Sequence, residues 1–315
     1  MHLLGISPEN AGFDRRGFPL VPGPRQRLEE VGRTFVDGYR AGLEHDAHDD
    51  LSAALDRTEP ELRGFAYEGA AMAVALRDAL APWRPGRLRG LLAGPGRPHR
   101  YMVHVGAGWA LARLRRRPAA IRSLDPLLRW LALDGYGFHQ GYFHPDRHVR
   151  GTTIPRGFSG YAARAFDQGL GRSLWFVEAA RPDAIGSAIA RFAEPRRPDL
   201  WSGTGLAAAY AGGATPQTLR LMAAAAAGHA GHVAQGAAFA AAAREHAGNP
   251  AGHTELACRI LTGLSARDAA ALTDAAARGL PADGAEPAYQ VWRRRLRTEL
   301  ADPAAALAAP RRQDR

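Results

Sequence analysis

The chain contains no lysine; all 41 of its basic residues are arginine. Its formal charge of +10 would ordinarily invite a nucleic-acid reading. With the heavy use of Ala, Gly and Pro, however, the missing lysine reads as a codon-composition bias. The basic clusters Arg113–Arg117 and Arg293–Arg297 fall at or near helix ends, where cations suit the helix dipole. No aromatic-interleaved RNA-binding signature or helix-turn-helix pattern accompanies them, so no nucleic-acid partner is expected. Cysteine is nearly absent too. Cys258 stands alone, which excludes an intrachain disulfide and a thiolate cluster from this chain alone. No run of about 20 strongly apolar residues is present. The Ala-rich stretch Met222–Ala243 comes closest, but His229, His232 and Gln235 interrupt it. No charged segment followed by an apolar one opens the chain, so no secretory leader is expected and the reading is cytoplasmic. Period-two alternation is missing, which leaves an all-α fold. Phosphate loops, HExxH pairs, GxSxG elbows and Glu-x-x-His motifs are missing as well.

What is present is a set of helices poor in bulk on one face. The stretch from Gly64, GFAYEGAAMAVAL, carries one carboxylate, Glu68, among small and apolar residues. His104–Leu114, Leu200–Gly212 and His232–Arg244 share its texture. Glycine within a helix costs roughly 1 kcal/mol relative to alanine, so its repeated use implies close approach of helices or of a ligand. Around these segments, Leu28, Val31, Phe35, Tyr39 and Leu43 recur at three and four, predicting an amphipathic helix over 25–43. A short helix is expected around Leu51–Leu55, the anchor helix over 62–80, a loop over 86–100 and a helix over Tyr101–Leu114. Asp125–Pro126 signals a helix start. The aromatic- and His-rich Gly135–His148 reads as a loop, and 161–178 as a helix. Further starts fall at Pro182, Thr215–Pro216 and the capping-box-like Ser265 with Asp268, and the last helix spans Pro287–Leu300.

Three blocks recur in the same order. Phe35-Val-Asp-Gly-Tyr matches Phe166-Asp-Gln-Gly-Leu, the anchor helix matches Leu200–Tyr210, and His104-Val-Gly-Ala-Gly matches His232-Val-Ala-Gln-Gly. The organisation expected is an N-terminal arm over 1–24 and two pseudo-repeated helical halves, 25–150 and 151–300, packed around a shared interface. A disordered tail over 301–315 completes it. The architecture is a helical bundle or solenoid-like array with Gly/Ala-faced central helices.

Glu68 on an apolar helix has the profile of a general acid or base, because a buried carboxyl rises in pKa unless paired. The alternative is a structural arginine partner. Glu178 is a similar carboxylate at the end of an aromatic helix. His104 and His232 occupy matching places and either face each other to build a polar or metal centre with Glu68, or bond nearby backbone; neither has a second ligand at i+3 or i+4. The segment with Tyr136, His139, Tyr142 and His144 either lines an apolar pocket or packs as a connector. His253 and Glu255 read as capping residues, and no partner activates Cys258.

The phrases GFAYEGAAMAVAL, YMVHVGAGWALARL, LRWLALDGYGFHQGYFHP, FDQGLGRSLWFVEAA, LWSGTGLAAAYAGG and HTELAC together resemble one family. It is the soluble family of unassigned function encoded in enediyne antibiotic gene clusters (the UnbL type), beside the iterative enediyne polyketide synthase. The similarity runs from Leu4 to about Trp292. It implies a role in making the enediyne core, with companion proteins, between the linear polyene and the alkyne-bearing product. Two hypotheses follow. In one, the chain is an enzyme binding a long unsaturated chain between its halves. Its catalytic residues are Glu68, His104 and Glu178, and Tyr67, Trp109, Tyr136, His139, Tyr142, His144, Trp175 and His232 contact the substrate. In the other, it is a non-catalytic carrier or scaffold for a reactive polyene, the synthase and its companions. No metal ligand is assigned and no cofactor is identified, and a Gly/Ala face is equally open to use as a homodimer contact.

Overall fold

A computed structural model of the chain describes residues 6–302, and every regular element among them is helical. The α-helices are α1 (Phe13–Arg16), α2 (Pro24–Glu44), α3 (His48–Leu55), α4 (Arg63–Leu80), α5 (Arg87–Ala93), α6 (Arg100–Arg113), α7 (Trp130–Phe143) and α8 (Tyr161–Val177). They continue with α9 (Pro182–Ala190), α10 (Arg197–Ala211), α11 (Pro216–Ala225), α12 (Ala230–Ala247), α13 (Gly252–Leu261), α14 (Ala266–Ala277) and α15 (Ala288–Ala301). Local chemistry sets many of these boundaries. Pro24 opens α2, whose stripe Leu28, Val31, Phe35 and Tyr39 is buried as its spacing requires. Thr215 accepts from the Thr218 amide at 3.1 Å and Ser265 from the Asp268 amide at 3.0 Å, so both side chains cap the helices that follow.

Three expectations need correction. Residues 86–100 hold α5, fixed by Asp78, whose carboxylate accepts from the amides of Arg87 and Leu88. Gly135–His148 is no loop, because it is helical to Phe143 within α7. Asp125 does accept from the amides of Leu127 and Leu128, but this caps a turn and α7 begins only at Trp130. The described part of the N-terminal arm has short helical turns of its own, over Pro8–Ala11 and in α1. Of the expected tail, residues 303–315 lie outside the described residues.

Six long helices pack in sequence: α2 on α4, α4 on α6, α6 on α7, α7 on α8 and α8 on α10. Helix α10 then touches α2, so the series closes on itself. At that seam Arg27 Nε donates to the Ala211 carbonyl at 3.1 Å. Outside the ring α12 covers α10, and α13, α14 and α15 cover α12.

Glycine is what lets these helices meet backbone to backbone. A Cβ at Gly108 would lie 1.9 Å from the Ala132 carbonyl oxygen, and one at Gly135 would lie 2.0 Å from that of Val105. The next interface repeats the arrangement, with Gly137 against Phe166 and Gly169 against Asp134, at 2.0 and 1.7 Å. So does the one after it, with Gly171 against Leu200 and Gly203 against Gln168, at 2.0 and 1.8 Å. A Gly-x-Gly pair thus gives one residue to the preceding helix and one to the following helix. This single-helix unit is what recurs, and the two-half repeat gains no separate support. The expected boundary at 150/151 falls between the interlocked α7 and α8, and one hydrophobic cluster runs from Ile6 to Leu296 across it.

Candidate functional site

Each of the six ring helices turns at least one side chain toward a shared space. Phe35 comes from α2, Phe65 and Glu68 from α4, Trp109 from α6, Phe138 and Tyr142 from α7, Arg172 and Phe176 from α8, and Leu206, Ala207 and Tyr210 from α10. The cavity they enclose is small, about 60 Å³. It is a slot, and its walls are rings. Phe35 and Trp109 lie 4.3 Å apart between centroids, Trp109 and Phe138 5.2 Å, and Phe138 and Phe176 5.2 Å. Ile6, Asn10 and Ala11 border it from the N-terminal segment. Arg16 ties that segment down, donating to the Tyr142 carbonyl at 2.7 Å with its guanidinium over the Phe143 ring.

Two polar groups of this apolar slot, from Trp109 and Arg172, face Glu68. The residue is 3% exposed, and its Oε1 accepts from Trp109 Nε1 at 3.0 Å. Arg172 Nη2 stands 4.0 Å from the same oxygen, beyond hydrogen-bond range. The reason is Asp134 on α7, which accepts from Arg172 Nη1 and, at 2.8 Å, from Gln168 Nε2. One guanidinium therefore serves two carboxyl groups, and Asp134 holds it. Burial pushes Glu68 up to about 7, against the pull of Arg172 and the Trp109 hydrogen bond. Arg172 moves above its ordinary value, because Asp134 and Glu68 outweigh the burial that opposes its charge. The result is a carboxyl group able to gain or lose a proton near neutrality, facing an aromatic slot.

Of the residues expected from sequence to act together, the structure brings Glu68, Trp109 and Tyr142 to the slot. His139 packs behind them, its ring edge-on to Trp109, and burial pulls it down to about 3, so it is neutral. His144 lies 6.4 Å from it. The remaining candidates sit elsewhere. Tyr67 stacks on His99 at 4.2 Å and donates to Asp56. Tyr136 packs on Phe158 and Phe166, and Trp175 donates to the Gly212 carbonyl. Glu178 pairs with Arg181 at 3.4 Å. His104 takes the local reading, its Nδ1 within 2.7 Å of the Arg100 carbonyl, and it borders a separate open groove beside α5. His232 lies near His229, and the charges that bear on it come from Arg297, Arg293 and Asp199. Among the described residues, no group of three or more His, Cys, Asp or Glu side chains is placed to hold a metal ion. Cys258 is buried, its thiol pushed up to about 12.

Sequence reasoning missed Arg172, Asp134 and most of the aromatic wall. For Arg172 a signal existed, since an arginine between Gly171 and Ser173 stands inside an otherwise apolar stretch.

A family model described as "Protein of unknown function (DUF1702)" matches residues 1–300. The chain belongs to that family. No curated protein and no solved structure matches it. No helix among the described residues is long and apolar enough to cross a membrane.

Proposed function

We propose that this member of the family binds a slender, flat, largely apolar molecule in the slot, with the polar end of that molecule at Glu68. The observation that carries the reading is the closed ring of six helices around an aromatic-walled slot with one carboxyl group among its lining. Aromatic faces at these spacings favour a conjugated chain over a bulky saturated one. The similarity of the long sequence blocks to the enediyne-cluster family supports a specific ligand. It is the linear polyene released by the iterative enediyne polyketide synthase, bound or acted on before the alkyne-bearing core forms. Companion biosynthetic proteins would deliver or receive it.

Two measurements test this. Parinaric acid, a conjugated tetraene that fluoresces in apolar surroundings, should bind the purified protein saturably. Leu206→Trp, which fills the slot, should weaken that binding on the order of tenfold or more. A protein that leaves the probe dark sinks the slot reading. In an enediyne-producing strain lacking its own family member, the wild-type gene should restore core production and Leu206→Trp should not. Full restoration by the filled variant would overturn the ligand role and leave the scaffold reading in its place.

A further inference from the structure

The slot carries a pair of groups that an inert carrier has no use for. Glu68 and Arg172 face the same space from α4 and α8, and neither satisfies the other at 4.0 Å. Arg172 is pinned from behind by Asp134, so its Nη1 is spent while Nη2 stays toward Glu68. Trp109 holds Oε1 of the carboxyl group with one hydrogen bond. A ligand oxygen entering between them would meet a guanidinium, and the carbon chain attached to it would pass the carboxyl group.

We propose that the slot catalyses double-bond migration in a conjugated carbonyl compound, with Glu68 as the proton-transfer group and Arg172 as the holder of the oxyanion. This rests on the ligand reading given above and adds a reaction to it. Glu68, as carboxylate, removes a proton from the carbon at the far end of the conjugated system. The electron pair moves through the double bonds onto the carbonyl oxygen, where Arg172 Nη2 stabilises the negative charge. The proton held by Glu68 then returns to a different carbon of the same chain. The double bonds have moved, Glu68 is ionised again, and nothing has been oxidised or reduced. The aromatic walls flank the delocalised anion, and the water-sized space beside Glu68 lets its proton exchange with solvent between removal and return. The carboxyl's position near neutrality suits a group that must both take and give a proton in one turnover. The titratable and charged groups whose charge bears on it are Asp134 on α7, Arg172 on α8 and Tyr210 on α10. The absence of lysine means that no side chain of this protein offers the amine route to the same isomerisation.

Decadienal is a suitable probe, because its conjugated aldehyde leaves a single exchangeable methylene at the far end of the diene. In deuterated buffer the protein should place deuterium at that methylene, read by mass spectrometry. The rate should rise with pH and level off above about 7. Glu68→Gln should slow exchange on the order of 100-fold or more. Displacement of parinaric acid by decadienal is measured alongside. Displacement without exchange overturns the reaction and leaves the ligand reading standing, whereas no displacement removes both. Exchange undiminished in Glu68→Gln overturns the role of Glu68. Should that variant fail to fold, Leu206→Trp keeps Glu68 intact but fills the slot. It should also abolish exchange, and persistent exchange there places the reaction outside the slot and overturns the proposal.

Discussion

Two buried ionic groupings on the ring helices are made from the same residue types and behave in opposite ways. At the slot, Glu68 and Asp134 share Arg172. Toward α15, Asp199 on α10 has two guanidinium groups to itself, from Arg164 at 2.9 Å and Arg293 at 2.7 Å. Gln235 completes that set, accepting from Arg293 Nε and Ser202 Oγ, both at 3.0 Å. Both carboxyl groups are almost wholly buried, Glu68 at 3% exposure and Asp199 at 0%. Yet burial raises Glu68 to about 7, while at Asp199 burial is outweighed by Arg293 and Arg164 and the group stays below its ordinary value. Asp167 falls between them. It has one guanidinium, that of Arg196, in two hydrogen bonds, and burial still pushes it up to about 6. Burial alone therefore does not decide the direction. What decides it is how many guanidinium groups each carboxyl commands, and the slot is where the supply falls short.

Removing the well-supplied carboxylate tests this difference most severely. Asp199→Ala leaves Arg293, itself 0% exposed, without its counter-ion, and should cost about 3–5 kcal/mol in urea unfolding at neutral pH. A loss below about 1 kcal/mol would mean that the guanidinium finds water, and the contrast between the sites would collapse. At Glu68 the sign is reversed. An acid raised in the folded state from 4.5 to about 7 contributes stability that is complete below its unfolded value and is lost as pH rises through the folded value. That interval corresponds to about 3 kcal/mol, lost between about pH 4.5 and 7. Glu68→Gln should flatten this part of the curve, so the variant gains on the wild type as pH rises. Parallel curves for the two proteins would show that Glu68 is ionised in the fold at all these pH values.

Geometry behind the slot comes next in size. Gly169→Ala puts a methyl group 1.7 Å from the Asp134 carbonyl oxygen, so α7 and α8 must part where Asp134 pins Arg172. The expected cost is about 2 kcal/mol, with weaker parinaric acid binding. The same glycines explain what could be read in advance. The repeated blocks noticed in the sequence belong to ring helices, except the one from His232, which lies on α12 outside the ring; what they share is the close-contact residue of each. Helix α2 showed itself through an apolar stripe because its other face meets water. Helix α7 did not, because Leu131 to Tyr142 are buried on every side and no polar face exists to set a period. Its three glycines looked like loop residues, whereas Gly135 and Gly137 serve contact with α6 and α8. Glu68 was legible as a lone carboxylate on an apolar helix. Arg172 gave only the local signal of its apolar neighbours and was one of 41 arginines, and the Asp134 that pins it lies 38 residues away in sequence. His104 and His232 drew attention by matching positions, but helix ends offer nearby carbonyls, and His104 is spent on one.

The smallest change sharpens the comparison most finely, since it alters one hydrogen bond and no charge. Trp109→Phe keeps an aromatic ring beside Phe35 and Phe138 but removes the indole N–H that Glu68 Oε1 accepts at 3.0 Å. That bond favours the carboxylate, and Arg172 is too far away to replace it. Its loss is worth about 1 kcal/mol and should move the Glu68 titration upward by somewhat less than one pH unit. The pH at which wild-type stability declines should rise by the same amount, and so should the midpoint of deuterium exchange into decadienal. Asp199 has no such dependence on a single neutral donor, because two guanidinium groups hold it, so acid unfolding driven by that cluster should be the same in Trp109→Phe and the wild type. If the titration stays in place when the indole is removed, then Arg172 has closed the 4.0 Å gap. In that case the supply of guanidinium at the slot is not short, and Glu68 resembles Asp199 after all.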